Sequence, residues 1–177
     1  QVLFSGDVVR DAEQQAVQAA LAVELRIDER KARQLFQGRT VVIRNQLDGI
    51  AEEMEVSLIR SAYSSIVKEG HDASTALFDT SGEMIAQSTS LPAQLGLMGP
   101  AVRSILNRFP ITKIEDGDVF ILNDPYDGGS HIPDVSIVAP VFHNGSIVGL
   151  TASIAHHMDM GGKTPGSIPT DATEVFQ

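Results

Sequence analysis

A two-residue turn signal, Asn144-Gly145, separates two apolar runs at 135–142 and 147–154. Asn-Gly between such runs is the strongest short hairpin signal, because a tight type I′ turn needs positive φ at both central residues. Antiparallel pairing across that turn folds the chain back on itself. It returns the residues just after the second run to those just before the first. Those residues are His156 and Asp134. One hairpin therefore constrains both the fold and the place where chemistry can collect.

The rest of the chain sorts around it by period. Residues 8–37 carry apolar positions at helical spacing (Ala16, Ala19, Ala20, Ala22, Val23, Leu25, Ile27), with Asp7 as N-cap and Gly38 as C-cap. Val42, Ile43, Leu47, Ile50, Met54, Leu58, Ile59 and Ala62 predict a second helix over 41–67, with Gly70 just past its end. The pattern changes at His71. Stretches 75–79 and 83–87 read as short strands joined at Ser81-Gly82. Residues 91–98 lead through Gly96 and Gly99-Pro100 into a helix of about ten residues that ends near Phe109, before Pro110. Residues 118–122 read as a buried strand. After Met158 the run DMGGKTPGSIP is a loop of low side-chain bulk, where backbone can approach a partner closely. The expected class is α+β: N-terminal helices, then a mixed domain of β-hairpins with a short helix. The division falls into a helical arm or extension at 1–40 and a mixed domain at 41–177.

Composition narrows the chemistry. None of the 177 residues is cysteine, which excludes thiolate metal sites and cysteine nucleophiles. It also fits a reducing compartment, so a cytoplasmic location is expected. A formal net charge of −10 argues against a nucleic-acid or anionic-membrane surface, since both need clustered cations. No apolar run approaches a membrane span.

Polar residues gather in two segments beside the predicted strands, Asn123–Asp134 (NDPYDGGSHIPD) and His156–Gly162 (HHMDMGG). Imidazole with carboxylate suits zinc, manganese or iron(II). His131 and Asp134 lie three apart on one turn, and the hairpin brings His156 back to them. These three form the candidate metal set. Asp159 is a candidate to orient an imidazole, as carboxylate–histidine–metal relays do. His157, Asn123, Asp124, Gly129, Gly161 and Gly162 are candidates for an outer layer or for substrate contact. Neither glycine pair has the spacing of a phosphate-binding loop, so ATP, if used, is expected to bind elsewhere.

The stretches KEGHDASTALFDTSGEMIAQS (68–88), LPAQLGLMGPAV (91–102), GDVFILNDPYDGGSHIPDVSIVAPVF (117–142) and AHHMDMGGKTPGS (155–167) resemble the hydantoinase B/oxoprolinase family. Metal-bearing subunits of acetone and acetophenone carboxylases share that skeleton. The resemblance implies a metal-bearing subunit of an ATP-dependent cyclic-amide hydrolase. Its partner would be a hydantoinase A-like ATPase, carrying ATP with Mg, which phosphorylates the carbonyl of a small substrate. It also implies metal ligands at Asp72, His131, Asp134 and His156, a hetero-oligomer, and a chain that is the N-terminal portion of a larger subunit. Where many members read H-x-P-x-H-L-G, this chain has Ser90 and Gln94, a departure that bears on specificity. PYDGGSHIPDV sits nearer the hydantoinase pattern, so hydrolysis is expected ahead of carboxylation. A non-catalytic assembly module is the alternative of a different class.

Overall fold

In the computed structural model the described residues are 29–89 and 91–174, with side chains described from Val42 onward. Helix α1 runs from Glu29 to Ser61, 33 residues without a break at Gly38. The expected stop at Gly38 is thus corrected. One interior glycine costs a helix only about 1 kcal/mol, and no proline accompanies it. The part of the expected first helix before Glu29 lies outside the described residues. The second expected helix also ends earlier than 67. Ser64 is extended (φ −66°, ψ 128°) and starts a separate short helix α2, Ser65–Lys68. Serine favours such helix starts over helix interiors. His71, in the left-handed region at φ 54°, then turns the chain into the sheet.

Five strands follow: β1 Ala73–Phe78, β2 Met84–Gln87, β3 Phe120–Leu122, β4 Asp134–His143 and β5 Ser146–His156. They form one sheet in the order β2-β1-β5-β4-β3, and the neighbours pair antiparallel. The turn joining β4 to β5 has Asn144 at φ 49° and Gly145 at φ 78°, both positive as a type I′ turn requires. The ladder slips once: Val141 faces Gly149 but Phe142 faces Ile147, which leaves Val148 as a bulge.

Helix α3, Pro92–Arg108, lies between β2 and β3 and is 17 residues long. The expectation of a shorter helix, begun after Gly99-Pro100, is corrected. Pro92 opens the first turn, where a missing N–H costs nothing. Pro100 sits inside and gives up one helical hydrogen bond, while Met98, Ala101, Val102 and Ile105 bury themselves around it. On that face of the sheet Ala76, Phe78, Val138, Leu150, Ala152 and Ile154 pack against α3. The other face packs Leu77, Ala86 and Val141 against Met54 of α1. There Thr75 Oγ1 donates to the Ala51 carbonyl at 2.5 Å, tying helix to sheet. A cavity of about 540 Å³ opens beside α1 on this second face, lined by Met54, Leu58, Val135, Ile137 and Val141. Among the described residues no helix is long and apolar enough to cross a membrane.

Candidate metal centre

Asp134 is the first residue of β4 and His156 the last of β5, and the two are cross-strand partners. The backbone leaves this pair without mutual ladder bonds. The Asp134 N–H donates to the His131 carbonyl at 2.9 Å, and the His156 N–H to the Asp72 carbonyl at 3.0 Å. Non-hydrogen-bonded partners stand closer than bonded ones, which favours contact between their side chains. Both point to the α3 side, because even positions of β4 and β5 share that face. The apolar cavity lies mainly on the opposite face, and His156 lines it as well as belonging to this cluster.

His156 Nδ1 is 3.0 Å from Asp134 Oδ1, and His131 Nε2 is 3.1 Å from His156 Nδ1. His131 Nδ1 is 3.3 Å from Asp134 Oδ2. One donor atom from each of the three residues lies within 4.8 Å of the others. Ligands held at about 2.0–2.1 Å around zinc stand roughly 3.4 Å apart in a tetrahedron. The set is therefore already near the spacing that a small divalent ion needs, and two imidazoles with one carboxylate suit its chemistry.

Exposure is graded across the cluster. The side chains of Asp134, His156 and His131 are 5%, 16% and 48% exposed. An ionised carboxylate so deeply buried would cost several kcal/mol without partners. Here Ser130 Oγ donates to Asp134 Oδ2 at 2.5 Å, and the two imidazoles flank the rest of the group. The opposite edge, at His131, is open to solvent.

The loop bearing His131 is docked on α3. Asp127 accepts from Ser104 Oγ at 2.6 Å and pairs with the Arg108 guanidinium. A Cβ at Gly128 would lie 2.7 Å from the Pro100 carbonyl oxygen, and one at Gly129 2.6 Å from that of Asp124. Both glycines are thus required by close backbone approach. Asp124 Oδ1 accepts the Tyr126 N–H at 2.9 Å and shapes the turn, while Asn123 Nδ2 donates to the Ile132 carbonyl at 3.0 Å.

The remaining candidates sit farther out. Asp159 faces its own loop: it accepts from the Gly161 N–H at 2.7 Å, Ser167 Oγ at 2.9 Å and the Gly166 N–H at 3.1 Å. Those bonds hold its pKa below the ordinary value, the Gly161 and Gly166 N–H groups first. Gly162 N–H donates to Ser167 Oγ at 3.0 Å. His157 N–H donates to the Pro133 carbonyl, and its side chain lines the cavity on the other face. Burial lowers its pKa, with His156 adding to the effect. Asp72 lies beside the cluster and outside its set of mutually close donor atoms; its Oδ1 accepts from Gln94 Nε2 at 2.5 Å. Pattern alone does not single out Ser130, Ser104 or Arg108 as site residues, and Gln94 stands out only as a departure from the family's motif. Ser104 and Arg108 are four apart, on one face of a helix, which is the one trace that pattern offers.

Fold and cluster together define a class: a mixed α+β domain presenting a histidine–aspartate donor set at the end of an antiparallel hairpin. The chain belongs to the hydantoinase B/oxoprolinase family, whose sequence model matches residues 39–177. A putative D-/L-hydantoinase subunit from Pseudomonas sp. (strain NS671) is 38% identical over 140 residues, 76% of this chain and 24% of that protein. The crystal structure of the ATP-dependent caprolactamase from Pseudomonas jessenii superposes with a TM-score of 0.61 at 32% identity, covering 72% of this chain and 22% of that one. Nucleotide-free acetone carboxylase shares the fold, with a TM-score of 0.66 at 23% identity over 90% of this chain and 21% of that one. The chain spans about a quarter or less of the length of the curated relatives it matches.

Proposed function

We propose that this chain carries the metal centre of an ATP-dependent enzyme that opens a cyclic amide at a carbonyl phosphorylated by a hydantoinase A-like partner. The observation that carries the reading is the convergence of His131, Asp134 and His156 donors within 4.8 Å inside the family-matched segment. The caprolactamase, named as ATP-dependent and 32% identical, supports the reaction class. The hydantoinase relative is named as one subunit, which supports a partner polypeptide and hence a hetero-oligomer. ATP with its Mg ion belongs on that partner. Asp72, next to the cluster, is the proposed fourth ligand.

A divalent zinc, manganese or iron ion held there would supply Lewis acidity for the carbonyl or for attacking water. The residues themselves divide the remaining work. Asp134, buried and held by Ser130, fixes a negative charge at the base of the site. His156 is oriented by the hairpin, so its position follows from strand register. His131 forms the solvent-facing edge from which a small carbonyl compound approaches.

The test is phosphate release by the complete complex, supplied with ATP and either a lactam or a ketone plus bicarbonate. Lactam-dependent release with stoichiometric metal is expected. In the His131→Ala variant both are lost while the complex stays assembled. Bicarbonate-dependent release would sink the hydrolase reading in favour of carboxylation. Loss of assembly along with metal would point to a structural site.

A further inference from the structure

Gln94 is 4% exposed at the third position of α3, where a glutamine commonly reaches back to cap its own helix. It does not do so here. Leu91 at the cap has no side-chain oxygen, and the Gln94 carboxamide bonds outside the helix. Ser74 Oγ donates to Gln94 Oε1 at 2.7 Å, and Gln94 Nε2 donates to Asp72 Oδ1 at 2.5 Å. The reverse orientation of the carboxamide would set its oxygen against the Asp72 carboxylate, so Asp72 fixes which end faces which, and the Ser74 hydroxyl satisfies the other end. A buried carboxamide bonded at both ends is rigid, and breaking either bond leaves a polar atom stranded.

Asp72 is gripped twice. Its carbonyl accepts the His156 N–H at 3.0 Å, and its carboxylate accepts from Gln94. It therefore moves with β5 through its main chain and with α3 through its side chain. We infer that Gln94 is a positioning residue for the metal centre: with Ser74 it fixes the carboxylate of Asp72, whose main chain is bonded to His156. This rests on the proposed reading of Asp72 as the fourth ligand. The departure at Gln94 from the histidine of many family members becomes, in this chain, a donor to Asp72 that does not titrate.

The experiment is a competitive metal titration of the full subunit in its complex, with thermal unfolding followed in parallel. Gln94→Leu is expected to weaken metal binding about tenfold or more, the scale of losing a group that orients a ligand. The cycle with Asp72→Ala carries the decision. Once Asp72 is gone, Gln94→Leu has nothing left to position and should add no further loss. Gln94→His keeps a ring N–H for Asp72 and should restore affinity, whether or not the leucine variant folds. Ser74→Ala frees the carboxamide and gives a smaller loss. Unchanged or tighter binding in Gln94→Leu, with only a lower Tm, would make Gln94 a structural staple and overturn the inference. An equal loss in the presence and absence of Asp72 overturns it too. A wild-type complex that binds no metal would instead fail the proposed function, a result distinct from both.

Discussion

Replacing Gly128 by alanine separates two costs that the structure assigns to different glycines. Gly128 has φ 93° and Gly145 has φ 78°. Alanine in the left-handed region costs roughly 1–2 kcal/mol at either position. At Gly145 nothing lies within 4 Å of the added Cβ, so the cost ends there. At Gly128 the Cβ would stand 2.7 Å from the Pro100 carbonyl oxygen and 3.2 Å from Ser104 Cβ. The first contact is with helix backbone, which yields little, and overpacking of this kind adds roughly 1–3 kcal/mol. The loop is the softer party and should lift from α3, taking with it Asp127 and, four residues on, His131. Gly128→Ala is therefore expected to cost roughly 2–5 kcal/mol in all, and to weaken metal binding about tenfold for each 1.4 kcal/mol that reaches His131. Gly145→Ala should lower stability modestly and leave metal affinity as it was. Thermal unfolding and chelator competition on the complete subunit measure the two effects. Equal behaviour of the two variants would refute the argument that docking on α3 holds His131 in place.

Phe78→Ala removes a side chain 1% exposed in the core under α3, and should destabilise the fold by about 3–5 kcal/mol in denaturation experiments. Asp127→Ala deletes the partner of Ser104 and Arg108; with Arg108 65% exposed, the stability loss should be about 1 kcal/mol. Its metal affinity should fall by more than that stability change alone would suggest, since the same loop carries His131. Asp159 has its pKa lowered from 3.8 in the fold, so the order it gives its loop is full above that value and is lost as pH falls through the lowered one. Carbon-detected NMR titration should find it below 3.8, and Ser167→Ala should move it upward. An unmoved pKa would mean that the Ser167 hydroxyl does not hold the carboxylate.

Local chemistry made the hairpins readable. Asn144-Gly145 permits almost nothing but a tight turn, and Ser81-Gly82 marks the other, with Gly82 at φ 84°. That turn and the strand lengths bring His156 back to the neighbourhood of Asp134, and the bulge at Val148 sets the final register. What pattern did not reveal depends on contacts distant in sequence. The length of α3 is one case, because Pro100 and its glycine neighbours read as a break until the packing of Met98 and Val102 is known. The stop of α1 at Ser61 and the restart at Ser65 are another, set by Ser64 adopting an extended backbone. The bond from Gln94 to Asp72 spans 22 residues and joins a helix to the start of a strand, which no periodicity encodes.

The bulge at Val148 has a numerical consequence for the site. Counting outward from the turn, His143 faces Ser146, and an unbroken ladder would set Asp134 opposite Ala155. His156 would then project to the far side of the sheet, toward α1, and the donors would be split by the sheet itself. The single unpaired residue shifts the count by one and makes the pair Asp134–His156. The centre thus depends on the parity of the hairpin more than on its composition. Conservative exchanges along β4 and β5 leave the donors together. Deleting one residue between Ser136 and Ile154 separates them while every ligand is still present in the chain.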